Sequence, residues 1–311
     1  MSMKHFRGMI TGISGFVGGQ LARHLSSQGW DVAGYDVREP RVKCDFYAGD
    51  LADGAALKKA LEDSLPNVIF HLAGILKSES YENFFNIHVL GTISLMEAVV
   101  AVGLSPTIMI ASSSAIYGPG TGRKPITEGY DLRPQTHYAL SKAAQEMVAF
   151  RYYHVYGLPV VCVRTFNLLG PGLSLEMACS SFAQQIALAE RTGKAAVIST
   201  GDLSAKRDFV DVRDAVRAYE LLARRGKPGE VYNVCSGGAV AVSECLEILL
   251  NQARVPVEAV LDPAKVQKND VPIQVGSAKK VKQLTGWEPT VSLEQSLIDL
   301  LNDWREHVDM E

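Results

Sequence analysis

The chain lacks the features that mark nucleic-acid-binding, membrane or secreted proteins. Its formal net charge is only −3 over 311 residues, so no excess of positive charge predicts binding to nucleic acid or to an anionic membrane. No apolar stretch approaches the ~20 residues that span a bilayer, and the first twelve residues do not resemble a signal peptide. We therefore expect a cytoplasmic protein.

Cysteine is scarce and odd in number. The five cysteines are scattered, which fits free thiols in a reducing compartment better than disulfides. Neither they nor the seven histidines have the spacing of metal ligands, so we expect no bound metal. The cysteines are Cys44, Cys162, Cys179, Cys235 and Cys245.

Short apolar segments alternate with longer amphipathic segments from residue 6 to residue 166. Several of the short segments, such as residues 107–113, are apolar almost throughout, which is typical of parallel strands buried on both faces. The pattern predicts a doubly wound α/β sheet. After Phe166 the alternation loosens, which indicates a smaller second lobe with some segments returning to the first sheet.

The sequence MITGISGFVGGQL, residues 9–21, places Gly12, Gly15 and Gly18 three residues apart. It follows the first predicted strand and begins the first predicted helix, as a dinucleotide-binding turn requires. The spacing differs from the G-x-G-x-x-G of many dehydrogenases, and a packing turn without a ligand is the alternative. The second predicted strand ends in Asp36, whose carboxylate can accept hydrogen bonds from both adenosine ribose hydroxyls. We therefore predict a dinucleotide site.

Asp36 also bears on the choice of cofactor, because a carboxylate repels a 2′-phosphate. NAD(H) is favoured for this reason. NADP(H) remains the alternative, since the guanidinium of the nearby Arg38 can hold a phosphate.

Tyr138 and Lys142 lie four residues apart in HYALSKA and so share one face of a predicted helix. The segment ASSSAIYG, residues 111–118, ends the fifth predicted strand, at the edge where open α/β sheets bind ligands. A Tyr beside a Lys can transfer a proton at a sugar oxygen, and a serine can hold that oxygen. A solvated helix face is the alternative for the pair alone.

Together these motifs resemble the extended short-chain dehydrogenases that act on nucleotide-linked sugars. The resemblance covers essentially the whole chain. It rests on TGISGFVG, Asp36, GDLAD, HLAG, ASSSAIYG, YALSK, RTFNLLGPG, RDFVDVRDA, YNVCSG and TGWEP. It implies an NAD(P)-binding Rossmann domain, residues 1–166 and 209–235, and a smaller C-terminal α/β substrate-binding lobe, residues 167–208 and 236–311. It also implies a homodimer formed through two long helices per subunit, which would start near Glu82 and Thr136.

The resemblance carries site residues over position by position. Ser113, Tyr138 and Lys142 match the catalytic residues. Ser114, Asn167 and Arg207 match substrate-binding positions, the last two at the diphosphate, and a salt bridge to a neighbouring Asp is the alternative for Arg207. The cofactor-binding positions are Gly12, Gly15, Phe16, Val17, Gly18, Asp36, Asp50, Leu51, Leu72, Ala73 and Gly74, together with Tyr138 and Lys142.

Three departures from the family pattern narrow the reaction. Ser114 and Ala115 stand where dehydratases carry the acid and base that act at C5, so dehydration is not expected. His88 replaces an Asn that orders the active site, and it either makes the same hydrogen bonds or alters the pH profile. Gln267, near Lys265 and Lys268, stands where a late substrate-phosphate Arg is expected.

Two reactions within the family fit these residues, both on a nucleotide diphosphate sugar. The second half of the chain is most similar to the reductases that convert GDP-4-keto-6-deoxymannose to GDP-rhamnose. There Tyr138 protonates the C4 alkoxide, Ser113 polarises the ketone and Lys142 holds the nicotinamide ribose. A nucleotide-sugar 4-epimerase is the alternative. A dinucleotide-sensing regulator is disfavoured, because such proteins often lose the Tyr or the Lys.

Overall fold

The computed structural model describes residues 6–119, 124–265 and 271–307. Strands and helices alternate along the first half of the chain, as the apolar pattern predicts. The strands are β1 Arg7–Thr11, β2 Asp31–Asp36, β3 Asp45–Ala48, β4 Val68–His71, β5 Thr107–Ser113, β6 Val160–Thr165, β7 Asn167–Leu169, β8 Ala196–Thr200, β9 Lys206–Arg207, β10 Phe209–Asp211, β11 Glu230–Val234, β12 Val240–Ala241, β13 Val257–Leu261 and β14 Ile273–Gln274. The α-helices are α1 Phe16–Ser27, α2 Gly54–Ser64, α3 Tyr81–Phe85, α4 Gly91–Val102, α5 His137–Tyr156, α6 Ala178–Thr192, α7 Val212–Arg225, α8 Val242–Asn251, α9 Lys279–Thr285 and α10 Leu293–His307.

Seven strands form the central sheet in the order β3-β2-β1-β4-β5-β6-β11, and every neighbouring pair is parallel. All residues of β4 and β6 are buried, which explains why these segments are apolar without alternation. The chain leaves β1 toward β2 on one side and reaches β4 on the other. The connections therefore diverge at this point, and a crevice opens beyond the carboxyl ends of β1 and β4. The predicted doubly wound α/β fold is confirmed.

Helices cover both faces of this sheet. On one face, α1 packs against α7, and Leu21 and Leu25 of α1 join Val216 and Leu222 of α7 in one buried apolar cluster. On the other face, α2, α4 and α5 bury a second cluster that includes Leu57, Leu95 and Tyr152. The two layers hold the strand ends in fixed positions.

The second lobe has its own core, in which α6, α8 and α10 pack together through a third apolar cluster. Three elements after residue 166 belong to the first sheet and its layers: α7 and β11, within residues 209–235 that were predicted for this domain, and α9, within residues 236–311 that were predicted for the other lobe. The helix α7 packs on α1, and β11 extends the sheet beside β6. Val281 of α9 and the nearby Trp287 are buried in the same cluster as α1 and α7. The chain thus returns to the first sheet twice, while the assignment of the lobes to cofactor and substrate stays a prediction.

The segment Tyr81–Val102 corrects the expectation that no stretch is long and apolar enough to span a bilayer, since it passes that test by length and composition. It comprises α3, a π-helical turn at Asn86–Leu90 and α4. Leu95, Met96 and Val99 bury it against the sheet, in the cluster shared with α2 and α5. Part of this segment therefore belongs to the core of the protein.

Candidate active site

A cleft of about 1230 Å³ lies beyond the carboxyl ends of β1, β2, β4 and β5 and extends to the second lobe. It brings together all the residues predicted for the site. Those lining it are Gly12, Gly15, Phe16, Val17, Gly18, Asp36, Asp50, Leu51, Leu72, Ala73, Gly74, Ser113, Ser114, Tyr138, Lys142, Asn167 and Arg207.

The turn between β1 and α1 has the shape of a pyrophosphate cradle. Gly12 has φ of +76°, and a Cβ at this position would come within 2.7 Å of the backbone of Ala73. A Cβ on Gly18 would overlap the carbonyl oxygen of Gly12, so the first turn of α1 packs directly against the loop. Gly15 caps α1 without a side-chain hydrogen bond, which leaves backbone N–H groups of the helix N-terminus facing the cleft. Such groups and the helix dipole favour a phosphate, so these residues fit a dinucleotide.

Asp36 is held in place at the end of β2. Its Oδ2 accepts hydrogen bonds from the backbone N–H of Ser14 at 2.9 Å and from the Ser14 hydroxyl at 2.7 Å. Its Oδ1 accepts from the backbone N–H of Arg38 at 3.2 Å. Sequence reasoning missed Ser14, although a small polar residue inside the glycine turn was a signal. The carboxylate therefore faces the cleft in a defined orientation.

The predicted catalytic residues meet where β5 ends and α5 begins. The Thr136 hydroxyl caps α5 by accepting from the backbone N–H of Ala139, which places Tyr138 in the first turn and Lys142 one turn later. Ser113 ends β5 with extended backbone, and its Oγ accepts from the backbone N–H of Ala115 at 3.2 Å. The spacing of Tyr138 and Lys142 thus serves to place both side chains toward one strand end.

The protonation states of this group follow from its burial. Burial raises the pKa of Tyr138 above its usual value of 10.0, and a hydrogen bond with Ser113 partly opposes the rise. The phenol therefore holds its proton at neutral pH. Burial lowers the pKa of Lys142 to about 8, and its ammonium donates to the carbonyl oxygen of Ala111 at 2.6 Å and to Oε1 of Gln145 at 2.8 Å.

His88 makes two structural hydrogen bonds and is fully buried. The backbone N–H of Ile75 donates to its Nε2 at 3.1 Å, so the ring proton is on Nδ1, which lies 2.8 Å from the Ser141 hydroxyl. That hydroxyl in turn donates to the carbonyl oxygen of Tyr138. Burial lowers the pKa of His88 to about 2. His88 is therefore a neutral brace between the β4 loop and α5, and both ring nitrogens are already engaged.

The turn after β5 carries no acid or base at its first two positions. The Ser114 hydroxyl donates to Oε1 of Gln274 at 3.1 Å, and Nε2 of Gln274 donates to the carbonyl oxygens of Ser114 and Gly118. This glutamine lines the cleft and ties the second lobe to the end of β5. No sequence motif pointed to it, because it lies 160 positions from its partner along the chain.

The predicted diphosphate residues lie on the second-lobe side of the cleft. Asn167 donates from Nδ2 to the carbonyl oxygen of Asp208 at 3.2 Å, and the guanidinium of Arg207 donates to the carbonyl oxygens of Lys206 and Val271. The carboxylate of Asp208 accepts from Ser236, Gly237 and Gly276. Gln267 and Lys268 lie outside the described residues.

A buried ion pair fixes α5 against β6 behind the site. The guanidinium of Arg164 makes two hydrogen bonds to the carboxylate of Glu146, at 2.9 and 2.7 Å, and also donates to the Tyr117 hydroxyl at 3.0 Å. Within residues 6–119, 124–265 and 271–307, no group of three or more His, Cys, Asp and Glu side chains is placed to hold a metal ion. The site consists of an uncapped helix N-terminus, a fixed carboxylate and a Ser-Tyr-Lys group.

A family model and curated relatives match this chain over almost its whole length. The family model described as GDP-mannose 4,6 dehydratase matches residues 9–300. The GDP-6-deoxy-D-mannose reductase of Pseudomonas aeruginosa is 33% identical over 310 residues, which cover 96% of this chain and 97% of that protein. The UDP-glucuronate 4-epimerase of Thermodesulfobacterium geofontis is 27% identical, with 97% of each chain covered.

Solved structures with bound nucleotides are similar over their full length. The structure of RMD from Pseudomonas aeruginosa complexed with NADPH has a TM-score of 0.87 at 32% identity and covers 97% of this chain and 99% of its own. The UDP-glucose 4-epimerase of Thermus thermophilus in complex with NAD has a TM-score of 0.86 at 26% identity, covering 96% of this chain and 99% of its own.

Proposed function

Because the chain belongs to the GDP-mannose 4,6-dehydratase family of extended short-chain dehydrogenases/reductases, whose members are NAD(P)-dependent enzymes on nucleotide sugars, we propose that it reduces a 4-keto nucleotide sugar. The proposed substrate is GDP-4-keto-6-deoxymannose and the product is GDP-rhamnose. The observation that carries the proposal is that Ser113, Tyr138 and Lys142 line one cleft, beside a turn at Ser114 and Ala115 that carries no acid or base.

In this reaction Tyr138 is the proton donor. A bound nicotinamide supplies the hydride that reduces C4. The Ser113 hydroxyl holds the substrate oxygen, and the phenol of Tyr138 gives its proton to that oxygen as the alkoxide forms. Lys142, one helix turn after Tyr138, holds the nicotinamide ribose. Burial raises the pKa of Tyr138, so the phenol reaches the reaction with its proton in place.

Reduction, rather than dehydration, is supported by the residues next to Ser113. Removal of the C5 proton needs a base, and the methyl group of Ala115 cannot accept a proton. The Ser114 hydroxyl is directed at Gln274 at 3.1 Å. Although the matching family model carries the dehydratase name, Ser114 and Ala115 offer no carboxylate that could accept this proton.

A 4-epimerase is the second candidate, because relatives named UDP-glucuronate 4-epimerase and UDP-glucose 4-epimerase cover 96–97% of the chain at 27% identity. An epimerase begins by oxidising the sugar, for which Tyr138 must first lose its proton. The reductase is preferred because the reductase of Pseudomonas aeruginosa is 33% identical to this chain, a higher identity than that of either epimerase. A dinucleotide sensor is disfavoured since Ser113, Tyr138 and Lys142 are all present at the cleft.

The deciding experiment supplies the protein with NADH or NADPH and a panel of GDP-, UDP- and dTDP-linked 4-keto sugars and hexoses, with absorbance at the reduced-nicotinamide band and product mass followed together. A reductase consumes one reduced cofactor per product from the GDP-linked ketone. An epimerase converts a hexose without net change in cofactor. A 4-keto-6-deoxy product from GDP-mannose would show that a base is present that we have not identified.

Cofactor preference rests on Asp36. Its carboxylate is fixed by Ser14 and lines the cleft, which suits two ribose hydroxyls. A 2′-phosphate ~5 Å away would be repelled by up to about 3 kcal/mol per unit charge at an effective dielectric constant of 20, before screening by solvent reduces it. We therefore propose NAD(H) as the preferred cofactor. The similar Pseudomonas structure is complexed with NADPH, so both cofactors are compared in the tests below.

A homodimer is the proposed assembly. The two helices predicted to pair are the segment Tyr81–Val102 and α5. Four large aliphatic side chains on them are strongly exposed. They are Leu90, Leu140, Met147 and Val155, with exposed fractions of 54%, 46%, 74% and 61%. Burying such a surface against a second copy accounts for its apolar character.

A further inference from the structure

A chain of buried polar groups runs behind the cleft, between α4 and α5. Its centre is Gln145, which is 0% exposed, three residues after Lys142 on α5. Its Oε1 accepts from the ammonium of Lys142 at 2.8 Å, and its Nε2 donates to Oγ1 of Thr92 at 2.9 Å. Thr92 is also 0% exposed, so both ends of the amide are bonded inside the protein.

The orientation of this amide is determined by its neighbours. An ammonium can only donate, so the amide oxygen faces Lys142 and the NH₂ group faces Thr92. The Thr92 hydroxyl donates to the carbonyl oxygen of His88 at 2.6 Å, so its lone pairs accept from Gln145 and from Nε2 of His71, which lies 2.9 Å away. The Nδ1 of His71 then accepts from the Thr11 hydroxyl at 2.7 Å. Each hydroxyl and ring N–H in this series has one acceptor, and the Gln145 amide accepts from Lys142 and donates to Thr92 in a single orientation.

Gln145 is not among the residues lining the cleft, whereas Lys142 is. The ammonium of Lys142 has three N–H groups. Within the described chain, one goes to the Ala111 carbonyl oxygen and one to Gln145, which leaves the third for a ligand in the cleft. We infer that Gln145 is a positioning residue that fixes the Lys142 ammonium, so that its remaining N–H is directed at the nicotinamide ribose. The inference rests on the role proposed above for Lys142.

The groups around Lys142 leave Gln145 and Ala111 as its direct partners. His71 and His88 are neutral, because burial lowers their pKa values to about 3 and about 2. Cys162 keeps its proton, since burial raises the pKa of its thiol, and Tyr138 is a neutral phenol. The carboxylate of Glu146 acts on Lys142 only through space, because its oxygens bond the guanidinium of Arg164. Removing the Gln145 oxygen would therefore remove one of two dipoles that hold the charge.

Two substitutions of opposite electrostatic effect test the inference. Gln145→Met keeps the length of the side chain and removes the acceptor, which disfavours the charged ammonium and lowers the pKa of Lys142. Gln145→Glu keeps an oxygen and adds a negative charge, which raises that pKa. Binding of NADH and of NADPH is measured by fluorescence titration from pH 6 to pH 10, together with kcat and KM on the substrate found above.

We expect Gln145→Met to weaken cofactor binding about tenfold or more, as for loss of a hydrogen bond to a charged group, and to move the alkaline loss of binding to lower pH. Gln145→Glu should move that loss to higher pH. Gln185→Met on α6, whose amide bonds Ser181 and the Ser199 N–H and does not line the cleft, is the matched control and should leave both unchanged. Thermal unfolding of each variant is recorded in parallel, and Gln145→Glu decides alone if Gln145→Met does not fold.

Two outcomes would overturn the inference: wild-type affinity and pH dependence in both variants, or shifts of the same sign in both, which would mean that Gln145 only packs α4 on α5. Lys142→Met separates this inference from the proposed function. If Lys142→Met keeps full cofactor affinity, the role of Lys142 itself is wrong. If it loses affinity while Gln145→Met does not, only the role of Gln145 is wrong.

Discussion

Mild acid should destabilise this protein because two histidines are buried in the neutral form beneath the cleft. Burial lowers the pKa of His71 to about 3 and that of His88 to about 2, from an ordinary value of 6.5. Between these values and 6.5 the unfolded chain binds a proton at each position and the folded chain does not. The stabilisation is therefore fully present above pH 6.5 and is lost as pH falls toward the folded pKa values.

The size of the loss follows from the two pKa values. Each histidine removes about 2 kcal/mol of unfolding free energy between pH 7 and pH 5, since the unfolded side chain gains ~1.4 kcal/mol of protonation free energy per pH unit below its pKa. His88→Asn should abolish the contribution of His88 while its amide oxygen accepts the same hydrogen bond from Ile75. The difference between the unfolding free energies at pH 7 and pH 5 should then be about 2 kcal/mol smaller in the variant than in the wild type.

Urea unfolding followed by circular dichroism at the two pH values measures this difference. His154→Asn is the matched control, because His154 lies on α5 and is exposed, and it should leave the pH dependence of the wild type intact. The comparison uses differences between pH values, so a uniform destabilisation by either substitution cancels. If His88→Asn retains the whole wild-type difference, His88 is not held neutral by burial and our account of this network is wrong.

Four further outcomes test the site and the assembly. Tyr138→Phe should lower kcat by about 10²–10⁴-fold with little change in cofactor affinity. Ser113→Ala should lower kcat less, because the proton donor remains. Near-normal turnover of Tyr138→Phe, with hydride transfer shown to limit the rate, would refute the assignment. Gly18→Ala should abolish NADH binding in a fluorescence titration, because its Cβ would overlap the Gly12 carbonyl oxygen, whereas Gly54→Ala, which has open space around its Cβ, should bind normally. Asp36→Ala should weaken NADH and strengthen NADPH binding in calorimetry; a wild-type preference for NADPH contradicts our view of the carboxylate. Light scattering should give a dimer mass for the wild type and a smaller mass for Met147→Lys, and a wild-type monomer would refute the proposed pairing of helices.

Local sequence features predicted the parts of this site that depend on short stretches of chain. The glycines of residues 9–21 follow β1 and open α1, so their position was readable from the order of one strand and one helix. The spacing of Tyr138 and Lys142 placed both on one face of α5, and the resemblance of ASSSAIYG placed Ser113 opposite them. A short stretch of sequence is enough to recognise these features, because the period of a helix and the turn conformations of glycine are local properties.

Local sequence features did not predict the contacts between segments that are distant along the chain. Gln274 reaches Ser114 across 160 positions, and Gln145 reaches Thr92 across 53. Neither pair has a motif, because an amide can bond any nearby donor or acceptor. Sequence analysis also left two roles open for His88. The structure distinguishes them through the Ile75 N–H at Nε2 and the burial of the ring.

The sequence by itself thus determined the alternation of strands and helices, the glycine turn, Asp36 at the end of β2 and the Tyr-Lys pair, since each follows from propensity and spacing within one element or its neighbour. Only the tertiary structure decided where the protons lie. The neutral state of His71 and His88, the lowered pKa of Lys142 and the raised pKa of Tyr138 come from burial among residues of β1, β4, α4 and α5. Desolvation depends on everything that surrounds a group in space, and that surrounding exists only once the chain has folded.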